Sequence, residues 1–220
     1  MATKKEVTQT EVTKDKLVSM FMEHVLLEGK PESVFSFCKH NEITESDFYN
    51  FFGSIDGLQK SIWVIFYEHV ETLMFKNEDY INYSNREKLL TLYFTFFEML
   101  TANRSYVLWS LNTSNNKLEN LKQLSNLRKK IVEFGKRLVE NDDENKKNKI
   151  TKKPMALISE AVWVQYLFLL KFWMDDSSVS FEKTDVAIEK SVNTVFDILD
   201  NTPLESILDL GKFIWKEKMA

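Results

Sequence analysis

The sequence predicts an all-α protein. Glycine and proline number only 5 and 3 in 220 residues, too few for the turns that strand-built folds need. Apolar residues recur at three- and four-residue spacing through every long segment, the period of an amphipathic helix. The breaks between these segments are short and rich in Asn, Asp and Ser, as in Asn77–Asn85 and Asn112–Asn116. With 44% hydrophobic residues, 17 of them Phe, the chain can bury a core of one large or two small domains. The net charge is -4, which does not favour nonspecific binding to nucleic acid.

Residues 1–12 form a polar tail without the apolar run of a secretory signal. Cys38 is the one cysteine, so no internal disulfide can form, and a reducing cytoplasmic setting is expected. Helical spacing begins at Thr13 and runs to Glu28 on a stripe of Leu17, Met20, Phe21, His24 and Val25, and Gly29 ends it. His24 reads as a satisfied core histidine. Val34, Phe37 and Cys38 mark a short second helix, and Asn41-Glu42 carry a turn. Thr44 is an N-cap with Asp47 as its acidic partner, and Phe48, Phe51 and Phe52 give the third helix its buried side. Ser54 caps a long helix to about Lys76 on Leu58, Ile62, Ile65, Phe66, His69, Val70 and Leu73.

The pattern continues over Arg86–Thr101 with Leu89, Leu90, Tyr93, Phe94, Phe97 and Leu100, then over Ser105–Leu111 and Leu118–Glu140. Asn141–Lys153 reads as a charged loop. The stretch 117–153 holds twelve bases and six acids, which reads first as a solvated face and second as a surface for an anionic partner or membrane. Pro154 opens the most apolar helix, which ends at Met174. It is apolar nearly all round, so one side suits the core and the other a partner subunit. Ser180–Leu199 is amphipathic, and a last helix spans 204–216, whose apolar side and Trp215 allow peripheral membrane contact.

The run Pro31–Leu58 is a helix-turn-helix pattern. Its landmarks are the helix end at Gly29, Ser33-Val34, Ile43-Thr44, Phe48-Tyr49-Asn50-Phe51-Phe52, Ser54 and Leu58. In this it resembles the DNA-binding segment of the tetracycline-repressor (TetR) family of transcriptional regulators. The resemblance implies a helix-turn-helix head over 13–53 and a helical ligand-binding and dimerisation body over 54–220. It also implies a homodimer through 155–174 and 180–199. Lys39, Thr44, Ser46, Tyr49 and Asn50 would then face DNA. The sequence departs from the family pattern in the turn, where Asn41-Glu42 replace a small residue and glycine. It departs again at Glu45, Gly53 and Ile55, where lysines are usual. From Thr13 to Leu58 eight acids face four bases, which removes much of the electrostatic attraction to phosphate.

Large rings recur along the body: Tyr93, Phe94, Phe97, Trp109, Phe134, Trp163, Tyr166 and Phe168. They read first as core, and second as the lining of a cavity for an apolar small molecule. The segment Phe172–Ser177 with Phe181, Thr184 and Ile188 is similar to the close of the lipid-binding accessory proteins of ubiquinone biosynthesis. That similarity implies an alternative in which the body binds a lipid or quinone and the head no longer binds DNA. None of His24, His40 and His69 has metal-ligand spacing with a second histidine, a lone cysteine cannot make a zinc site, and no phosphate loop or nucleophile elbow is present. The expectation is therefore no catalysis, no metal and no cofactor.

Overall fold

Side chains set the helix starts. Thr13 accepts from the Lys16 N–H at 3.2 Å, Ser33 from Ser36 at 3.0 Å and Ser54 from Gly57 at 3.0 Å, each satisfying a donor that the first turn leaves open. The computed structural model describes residues 12–145 and 155–201. These residues fold as helices α1 (Lys14–Leu27), α2 (Val34–His40), α3 (Glu45–Tyr49), α4 (Ile55–Lys76), α5 (Asn85–Ala102) and α6 (Arg104–Leu111). They continue as α7 (Lys117–Lys122), α8 (Ser125–Asn145), α9 (Met155–Asp175) and α10 (Glu182–Asn201). Among the described residues there is no strand. The helix expected over 204–216 lies outside them.

The chain divides into two packed units. The first takes the described residues up to Ile65 with Asn103–Asn126, and the second takes Phe66–Ala102 and the described residues from Leu127 onward. The head expected over 13–53 lies within the first.

In the first unit, Leu17, Phe21, Phe37, Phe48, Leu58 and Trp63 are fully buried. Phe21 meets Phe37 edge-on at 6.1 Å, and Phe37 meets Phe48 at 5.9 Å. Each such ring contributes about 1.5–3 kcal/mol through burial. A buried amide binds this unit further along the chain. Gln123 accepts from the Trp63 indole N–H at 3.0 Å and from the Gln59 amide at 3.3 Å, and donates to the Ser110 carbonyl at 2.6 Å.

In the second unit, α10 packs against α5 and α9. Its core holds Tyr93, Phe96, Leu100, Tyr166, Leu169, Trp173, Ile188 and Val192. The Trp173 indole donates to the Thr101 hydroxyl at 3.0 Å. Between α9 and α10, the Asp176 carboxylate accepts hydrogen bonds on both oxygens. Ser178 donates from its backbone N–H and hydroxyl to Oδ1, and Thr184 donates from the same two groups to Oδ2.

Several expectations change. The helix expected over Leu118–Glu140 is two, broken at Gln123–Leu124, where the Gln123 side chain turns into the core. Of the loop expected over Asn141–Lys153, residues 141–145 belong to α8 instead, and the rest lies outside the described residues. Phe51 is exposed and lies beyond the end of α3, so Phe48 and Phe52 alone line that side. On α4, His69 and Leu73 face outward, while Trp63, Tyr67 and Met74 take core positions. The bases of α8 are engaged in part: Arg128 pairs with Glu160 at 2.7 Å, Lys130 with Glu68 at 3.1 Å and Arg137 with Glu71 at 2.6 Å.

Candidate functional site

In the head, α2 and α3 are joined by a turn in which Glu42 adopts φ 55°, the left-handed region that non-glycine residues enter at a cost. The Ile43 N–H donates to the Cys38 carbonyl at 3.0 Å and closes the turn. Thr44 and Asp47 then form a reciprocal capping box. The Asp47 N–H donates to Thr44 Oγ1 at 3.1 Å, and the Thr44 N–H donates to Asp47 Oδ2 at 3.1 Å. The Thr44 hydroxyl donates to the same carboxylate at 2.6 Å. These bonds, first from the Thr44 side chain and then from its backbone, hold the Asp47 carboxyl below its ordinary pKa.

Lys39, Thr44, Ser46, Tyr49 and Asn50 are all exposed and cluster on the C-terminal end of α2 and on α3. Thr44 is occupied by its cap, and the Tyr49 hydroxyl lies 3.5 Å from Glu45 Oε2. The turn places Glu45 and Asp47 on the same short helix as these polar groups. The surface is polar and can form hydrogen bonds, but its single cation among them is Lys39.

The rings expected to line a cavity fall into different places. Tyr93, Phe97, Trp163 and Tyr166 come together in the second unit: Trp163 stacks on Tyr166 at 5.5 Å, Phe97 lies 6.0 Å from Tyr166, and Tyr93 donates to the Val162 carbonyl at 2.8 Å. The Tyr166 hydroxyl is buried without a hydrogen-bond partner. Phe94 is half-buried on α5. Trp109 belongs to the first unit, against Phe21 and Tyr106. Phe134 lines a separate pocket of about 190 Å³ with Tyr67, Met74, Phe75, Tyr80 and Leu138 and the charged Glu71, Lys88 and Arg137. There burial pushes the Tyr80 hydroxyl up to about 12, against the nearby Arg137 guanidinium.

Phe168 is not a core residue: it is 55% exposed. It lines an open groove between α9 and α10 with Ala161, Val164, Ala187, Thr194 and Val195. Val164, Phe168 and Phe172 leave one side of α9 apolar and exposed while Val162, Tyr166 and Leu169 fill the core on the other.

One cluster escaped the sequence. His24 and Glu28 lie one helical turn apart on α1, and the fold brings His40 from the end of α2 against them. Ring centroids of His24 and His40 are 4.7 Å apart, and His40 Nδ1 lies 3.4 Å from Glu28 Oε2. Far from being satisfied, the buried His24 has an Nδ1 without a partner. Burial first, and His40 second, lower its pKa, while Glu28 pulls it up. The i, i+4 spacing of His24 and Glu28 was legible; the approach of His40 was not.

The sequence profile named "Tetracyclin repressor-like, C-terminal domain" matches residues 88–214, more than half of the chain. The chain belongs to the tetracycline-repressor family. A solved structure from Syntrophomonas wolfei str. Goettingen, assigned to the TetR-family transcriptional regulators, shares its fold with a TM-score of 0.65. That likeness covers 83% of this chain and 93% of the other at 14% identity. No curated protein matches the sequence. In this TetR-family chain no helix among the described residues is long and apolar enough to cross a membrane.

Proposed function

We propose that this TetR-family chain is a one-component transcriptional regulator. Its head would bind DNA through Lys39, Ser46, Tyr49 and Asn50, with Thr44 fixing the start of α3. A second copy would cover the apolar side of α9 and α10, and an apolar small molecule held in the body would shift the balance between two spacings of the paired heads. The observation that carries the reading is the capped helix-turn-helix in a chain of this family, with its polar residues outward. Val164 and Phe168, exposed on α9, support the pairing of two copies. The unpartnered Tyr166 hydroxyl among Trp163, Phe96 and Phe97 supports a ligand with a polar atom in an apolar setting. A gel-shift titration against the DNA upstream of the chain's own reading frame, at low and at moderate salt, tests it. The expected result is a shift at low salt that weakens as salt rises. No shift at low salt removes the DNA-binding reading.

One observation favours a second reading: eight acids against four bases over Thr13–Leu58. In that reading the head has lost DNA and the body binds a lipid or quinone. Native mass spectrometry of the purified chain separates the two, since a copurifying lipid together with a failed gel shift supports the second.

A further inference from the structure

We propose that His24, Glu28 and His40 form a binding site for one divalent first-row transition-metal ion, with Zn²⁺ as the ion to test. Their nearest ligand atoms all lie within 4.8 Å of one another. Ligands about 2.1 Å from a tetrahedral ion stand about 3.4 Å apart. His40 Nδ1 and Glu28 Oε2 already meet that spacing at 3.4 Å. The remaining closure needs only side-chain rotation, and both of these side chains are about half exposed.

The third ligand is held differently. His24 is 6% exposed, its ring packed edge-on against Phe37 at 5.7 Å. A buried ring nitrogen without a partner costs stability, and a metal ion would take the lone pair that no protein donor meets. Two imidazoles and one carboxylate suit zinc, nickel or copper, whereas magnesium and calcium prefer oxygen alone. Three protein ligands leave a fourth position for water or an anion. The surrounding head is acidic, with Glu23 and Glu32 nearby in sequence and acids in excess over Thr13–Leu58, which favours a cation.

The ion would fasten the end of α1 to the end of α2, one residue before the turn that presents α3. It would also add two positive charges to a head short of them. Metal binding to the site does not depend on the chain acting on DNA.

The test is calorimetric titration of the full-length, untagged chain with ZnCl₂ after chelation and dialysis, repeated for H40A and E28Q. Both substitutions are at exposed positions and should leave the fold intact, which circular dichroism checks. H69A, which removes the outward-facing histidine of α4, is the control. One ion per chain is expected, with affinity lowered at least about tenfold in H40A and in E28Q, or about 1.4 kcal/mol, and unchanged in H69A. Replacing Zn²⁺ by Co²⁺ should give visible absorption that H40A loses. No saturable binding to the wild-type chain overturns the proposal, and so does equal affinity in H40A and wild type.

Discussion

Gly135 lies directly against Ser159: a Cβ at Gly135 would stand 2.9 Å from the Ser159 Cα and 3.3 Å from Val162 Cγ2. Two helices, α8 and α9, therefore approach through a position that tolerates no side chain. In an isolated helix Gly→Ala would gain about 1 kcal/mol. Here the obstacle is backbone, which cannot rotate away, so G135A should instead lose about 1–3 kcal/mol. Urea unfolding of the two forms decides the sign. A more stable G135A would mean that α9 shifts readily.

Asp176 should give the fold an acid-sensitive joint. Burial raises its pKa, but the bonds from Ser178 and Thr184 outweigh burial and hold it at about 2. The unfolded value is about 3.9, so the folded pKa is depressed. The stabilisation is then fully present above about pH 4 and is lost as pH falls toward 2. D176N should lower the melting temperature at neutral pH and flatten the dependence between these values. A wild-type melting temperature as flat as that of D176N across this window would contradict the assignment.

Thr44 contributes through its cap. T44A removes an acceptor for the Asp47 N–H and should cost about 1 kcal/mol, read as a lower melting temperature. T44S keeps the oxygen and should recover most of the loss. Equal losses in T44A and T44S would point to the methyl group rather than the cap.

Phe168 probes pairing. F168E places a charge on the exposed side of α9 without touching the core, so helical content should hold while sedimentation shifts from dimer to monomer. A dimer that survives F168E places the interface elsewhere.

Much of the fold was legible because helix period and caps are local. Thr44 and Ser54 each cap the helix that their hydroxyls suggest. The break at Gln123 was not legible, because a glutamine reads as surface until Trp63, about sixty positions away, brings a donor to it. Phe168 read as core because a stripe of rings does not say which side faces the body. The head residues were placed by their pattern along the chain. The histidine cluster needed two helices to meet, and sequence spacing carries only the half that lies on α1.

The indole bonds of Trp63 and Trp173 have an optical consequence. One ring is fully buried in the first unit and the other in the second, the first donating to Gln123 and the second to Thr101. Each unit thus carries its own fluorescent reporter, blue-shifted while packed and red-shifted once wet. With Trp109, Trp163 and Trp215 replaced by phenylalanine, keeping either Trp63 or Trp173 as the one remaining indole would let the melting of its own unit be followed without any added label.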